Sequence, residues 1–124
     1  MSNHIHKEVL QSYCDSEDDS LVYDLFSYFK GRVPDRFEAA KAAINAQDNK
    51  AFKFQLHALK NSFLNVGALE VAQECQSLED RSATLNQEAL FGELTQLHEK
   101  FIAVEAELGQ MLRDKVSFKP DPIP

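Results

Sequence analysis

From Ser16 to Asp48 apolar side chains return every three or four residues, at Val22, Phe26, Phe29, Val33, Phe37, Ala40 and Ile44. That is the period of a helix buried along one face. The stripe passes Gly31 and Pro34 without losing register. Because proline removes one backbone donor, the spacing predicts one bent helix here rather than two abutting ones. Ser16, followed by Glu17, Asp18 and Asp19, supplies a start signal: a hydroxyl to cap free amides and acids for the positive end of the dipole. Asp48 is placed to cap a second helix running to about Asn65, which Gly67 can end by taking the left-handed conformation. A third, roughly Ala68 to Ala83, carries Ala68, Val71, Ala72, Cys75 and Leu78 on one side. A fourth begins near Thr84 or Asn86, with Leu90, Leu94, Leu97, Phe101, Val104, Leu108 and Met111 in near-heptad spacing. Ahead of these, Ile5, Val9, Leu10 and Tyr13 predict a short covering helix; beyond Lys115 the proline-rich run reads as an extended tail.

Four amphipathic helices with short connections pack most simply as an antiparallel up-down-up-down four-helix bundle. The expectation is therefore an all-α domain over residues 1–115 with a short N-terminal helix, and a tail over 116–124. Composition agrees: 124 residues suit one domain, and only four glycines and four prolines interrupt it. The net charge of −7, with no basic cluster, argues against nucleic acid or an anionic membrane as ligand. No apolar run approaches the ~20 residues of a membrane helix. Cys14 and Cys75 lack CxxC spacing and no apolar leader opens the chain, so a reduced, cytoplasmic and monomeric protein is expected. Phosphate-binding glycine loops, dinucleotide fingerprints, HExxH and GxSxG are all missing from the sequence.

Candidate chemistry gathers on the second helix. Rotated by 100° per residue, Phe52, Leu56, Leu59, Phe63 and Val66 cluster on an arc roughly 140° from His57, which turns the imidazole to solvent. Lys53, Lys60 and Leu64 fall within about 60° of it on one side, and Phe54 and Asn61 within about 60° on the other. An isolated surface histidine is commonplace, but Phe54 and Leu64 beside it give this face the character of a docking surface. On the third helix Glu79 lands about 40° from the centre of the apolar stripe. It either snorkels to water as a boundary residue, or accepts a hydrogen bond from one nitrogen of His57, leaving the other nitrogen nucleophilic.

The run His57-Ala58-Leu59-Lys60-Asn61-Ser62-Phe63-Leu64-Asn65-Val66-Gly67 resembles the His-x-Leu-Lys-Gly-Ser-x-x-x-x-Gly signature of histidine-containing phosphotransfer (HPt) domains. The long helix with an internal proline, the Asp ahead of the histidine helix, and Ala-x-x-Cys-x-x-Leu-Glu from Ala72 to Glu79 are also similar to that family, so the likeness spans residues 5 to 114. It implies a four-helix phosphorelay intermediate in two-component signalling. His57 would take a phosphoryl group from a receiver-domain aspartate and pass it to another receiver, with no nucleotide site of its own. Receiver domains, and a hybrid sensor histidine kinase, are the implied partners. No cofactor is expected on this chain, the Mg²⁺ of transfer belonging to the receiver. In the same frame Lys60, one turn on, would offset phosphoryl charge, Gly67 would make the tight turn, and Lys53, Phe54, Asn61 and Leu64 would meet the partner. Asn61 departs from the pattern, standing where the family has glycine. It either hinders the partner's approach or donates to the phosphoryl group, and it keeps a second reading in play: a bundle that regulates a partner by binding alone, unphosphorylated.

His98, at the edge of the fourth stripe, is expected to be structural, and Cys75 a small inert hydrophobe. Were Met1 removed, Ser2-Asn3-His4 would present an amine, two amides and an imidazole suited to square-planar Cu²⁺ or Ni²⁺; at a chain end such a sequence is usually accidental. No other metal site is expected.

Overall fold

The computed structural model describes residues 4–12 and 20–114. The long stripe becomes α2 (Ser20–Asn45), which runs through Pro34 as one helix; Lys30, whose carbonyl loses its partner to the proline, is exposed. The expected start at Ser16 lies outside the described residues, as do Tyr13, Cys14 and the 116–124 tail. The second predicted helix is α3 (Asn49–Asn65), the third α4 (Leu69–Arg81) with a 3₁₀ turn over Ser82–Thr84, and the fourth α5 (Gln87–Arg113). Asp48 caps α3 by accepting from the Ala51 N–H at 3.1 Å, and Asn86 caps α5 by accepting from Ala89 at 2.8 Å. A short α1 (Lys7–Gln11) precedes the bundle.

Pairs of contacting residues run in opposite directions along neighbouring helices, which makes the bundle antiparallel. Between α2 and α3, Phe29 meets Phe63 and Arg36 meets Gln55; between α2 and α5, Phe29 meets Phe101 and Phe37 meets His98; between α4 and α5, Glu74 meets Lys100 and Arg81 meets Glu93. The core is aromatic at its centre. Phe29 packs edge-on against Phe63 (ring centroids 5.6 Å) and tilted against Phe101 (5.1 Å). His98 stands edge-on to Phe37 at 4.9 Å, the structural role expected of it.

Both tight turns of the α2–α3–α4 hairpins are built alike. The Asp48 N–H reaches the Ala43 carbonyl while Gln47 reaches Ile44; the Ala68 N–H reaches Phe63 while Gly67 reaches Leu64. This Schellman pattern needs a left-handed residue just past each helix, supplied by Gln47 (φ 56°) and Gly67 (φ 82°). Glycine is required at 67 for a second reason: the N-terminal segment crosses directly over it. The His6 N–H donates to the Gly67 carbonyl at 2.8 Å, and a Cβ on Gly67 would sit 2.7 Å from the His6 carbonyl oxygen. Ile5 and Leu10 are buried in the core, and Glu107 of α5 accepts from the His4 and Ile5 N–H groups at 2.9 and 3.2 Å. The His4 amide that a Cu²⁺ or Ni²⁺ chelate would need is thus engaged with Glu107; Ser2 and Asn3 lie outside the described residues.

The strap is also held electrostatically. His6 Nε2 contacts both carboxylate oxygens of Glu70 at 2.7 and 2.9 Å, with Glu8 at 3.5 Å from Nδ1. The hydrogen bond that His6 donates to Glu70 leads in raising the His6 pKa above 6.5, and the same bond leads in lowering that of Glu70. A raised histidine pKa stabilises the fold fully below the unfolded value and ceases to do so as pH rises through the folded one; a lowered carboxylate pKa stabilises above the unfolded value and is lost as pH falls through the folded one. NMR titration is expected to show the His6 pKa falling on Glu70→Gln. Gly67→Ala is expected to lower stability by at least about 1–2 kcal/mol from backbone conformation alone, measured by urea unfolding.

Candidate functional site

One face of α3 is consumed by the core: Phe52, Leu56, Leu59 and Phe63 are all at most 1% exposed. Their i, i+4, i+3, i+4 spacing fixes the helix about its own axis, so the opposite face, with His57, must meet solvent. His57 is exposed, as are Phe54 (63%), Asn61 and Leu64 (36%). No hydrogen bond or ion pair joins the His57 side chain to any described residue. The imidazole is open to solvent, flanked along the helix by an apolar ring, an amide and an apolar branched chain.

Two of the residues expected near it, Lys60 and Glu79, make no bond to it. Lys60 is tied to α4. It is half-buried on the α4 side of α3, and its ammonium donates to Gln76 Oε1 at 2.8 Å; the Gln76 amide in turn donates to Asp80 Oδ1 at 2.9 Å. Glu79 does not bond His57: no hydrogen bond or ion pair joins the two, and Glu79 is half-buried at the bundle boundary between buried Leu78 and exposed Asp80. The reason is rotational. The stripe that turns His57 outward on α3 also carries it away from the α3–α4 seam, where the α4 side chains meet Lys60 instead. Glu79 therefore takes the boundary placement, and its charge, with that of Glu74, acts on Cys75. Burial, reinforced by these two carboxylates, pushes the Cys75 thiol up to about 12, so it remains the neutral, inert hydrophobe expected.

Lys53 is half-buried on the same side as Lys60. The sequence reading missed Gln76 and Asp80, whose role appears only when α3 and α4 are brought side by side. It also missed Tyr28 of α2, 55% exposed, which lines a cleft of about 340 Å³ with Arg32, Arg36 and Gln55. Tyr28 lies off the buried stripe of α2, which was the available signal. A hollow of about 500 Å³ sits at the α2–α3 and α4–α5 connections against Ile44, Phe52 and Leu90 and includes none of the candidate residues. Among the described residues no group of three or more His, Cys, Asp or Glu is disposed to hold a metal, and no helix is long and apolar enough to cross a membrane.

The model of the Hpt domain family matches residues 24–113, which takes in all of α3 and α4 and nearly all of α2 and α5. The chain belongs to the Hpt domain family. No curated protein and no solved structure matches it. Hpt domains are phosphocarriers of phosphorelays rather than enzymes, and as a family they work with receiver domains and histidine kinases.

The geometry separates the face from the core in energetic terms. Phe63→Ala is expected to cost about 3–5 kcal/mol of unfolding free energy, and Phe54→Ala to stay within about 0.5 kcal/mol of wild type, both read by denaturant titration.

Proposed function

We propose that this Hpt domain carries phosphate on His57, relaying it between receiver-domain aspartates. The observation that supports this most is the exposure of an unpartnered imidazole on a helix whose other face is locked in the core. With Nδ1 protonated, the Nε2 lone pair attacks the phosphorus of an aspartyl phosphate. The P–N bond forms as the acyl P–O bond breaks, and the aspartate carboxylate leaves with that electron pair. Passage to the next receiver reverses the same step. The phosphoryl group carries its negative charge throughout, so the Lys60 ammonium one turn away stabilises both bound phosphate and transition state. The Mg²⁺ of the reaction is the receiver's, and this chain contributes no cofactor or nucleotide site. The exposure of the site fits a partner that brings the active-site cleft with it. Phe54, Leu64, Lys53 and Asn61 form the contact surface, in a cytoplasmic phosphorelay.

Asn61, in place of the family's glycine, favours a second reading in which the same face binds a receiver without accepting phosphate. Incubation with a phosphorylated receiver distinguishes them. The carrier gives acid-labile, alkali-stable label that is lost on His57→Gln and kept on His4→Gln, His6→Gln and His98→Gln. An unlabelled protein that still binds the receiver is the binding module. Phe54→Ala and Leu64→Ala are each expected to weaken receiver binding by about 1–3 kcal/mol in a calorimetric titration; unchanged affinity in both places the interface elsewhere.

A further inference from the structure

Lysine and arginine side chains in ion pairs recur on this surface: Lys41 with Glu38, Lys100 with Glu74, Arg81 with Glu93. Lys60 is different. It faces a helix carrying Glu70, Glu74, Glu79 and Asp80, yet no carboxylate pairs with it among the described residues, and its ammonium meets the neutral amide of Gln76. The amide has one end that accepts and one that donates. Asp80, which can only accept when ionised, takes the donor end from the next turn of α4 and so presents Oε1 to Lys60. Gln76 is thus a spacer between an ammonium and a carboxylate. It anchors Lys60 through one of its three N–H groups, leaves two for another ligand, and keeps Asp80 from neutralising the charge.

We infer that Gln76, its amide orientation set by Asp80, is a positioning residue that holds the Lys60 ammonium, un-neutralised, one turn from the histidine for use by the phosphoryl group. This rests on His57 being the acceptor. Anchoring the ammonium restricts its rotamers before the phosphoryl group arrives, and a neutral anchor leaves its full charge for the developing P–N bond. A carboxylate at position 76 would hold Lys60 equally well and cancel that charge.

The test uses phosphoramidate as a partner-free donor on the full chain. The Nε2 lone pair forms the new P–N bond as the donor's P–N bond breaks and ammonia leaves with that pair. Gln76→Glu is expected to slow labelling about tenfold, the loss of a charge-assisted contact to the phosphoryl oxygens, with the rate at saturating donor falling. In a Lys60→Met background the same substitution is expected to have no further effect, because there is no ammonium left to neutralise. Gln76→Met, of similar shape and unable to bond Lys60, is expected to slow labelling less than Gln76→Glu, and serves alone if the glutamate variant does not fold. Wild-type rates in Gln76→Glu, or in Gln76→Met where only that variant folds, overturn the inference, as does an equal loss with and without Lys60. Failure of the underlying reading is seen separately, as a wild-type chain that takes no label or a His57→Gln chain that does.

Discussion

Burial of Phe52, Leu56, Leu59 and Phe63 along one side of α3 is the constraint from which the rest follows. Each side chain is almost fully withdrawn from water, and rotating α3 by even one residue, about 100°, would expose several of them at roughly 1.5–3 kcal/mol apiece. The helix therefore has one azimuth in the bundle. Phe63 pins it through Phe29, which touches Phe101 on α5, so that a single aromatic chain fixes three helices against one another. What α3 shows to solvent is decided by what it hides.

The ends of α3 are fixed as firmly as its face. Asp48 caps the start, and Gly67 closes the finish in a conformation that other residues adopt at a cost. The N-terminal strap then lies across Gly67, bonded to its carbonyl and tied to α5 through Glu107 and to α4 through His6 and Glu70. Four elements meet over one residue without a side chain. That gives the glycine ten positions after the histidine a structural role in the turn.

Much of this was legible in the sequence because helical periodicity reports directly on burial. The stripes of α2, α3 and α5, the cap at Asp48, the turn at Gly67 and the outward histidine all depend on local spacing or on one residue's conformational preference. Contacts between helices were harder to read. That Lys60 meets Gln76, and that Glu79 makes no bond to His57, depends on how α3 and α4 are set against each other, which no single-helix wheel contains. The strap's bond to Gly67 and the His6–Glu70 pair, 64 positions apart, were invisible for the same reason. Pro34 shows the converse: a local rule that disfavours proline within helices yields to a stripe whose buried side chains, Phe29, Val33 and Phe37, hold both sides of it in one line.

Hpt domains carry phosphate on a histidine, and the proposed carrier here is the imidazole of α3, exposed and without a partner among the described residues. The most direct measurement is a ³¹P–¹H correlation spectrum of the ¹⁵N-histidine-labelled protein after phosphorylation by a phospho-receiver. The account predicts one phosphorus resonance in the phosphoramidate range, coupled to the ring protons of His57 and assigning the P–N bond to Nε2. A phosphorus resonance coupled to His4, His6 or His98, or a spectrum with no protein-bound phosphorus, would contradict it.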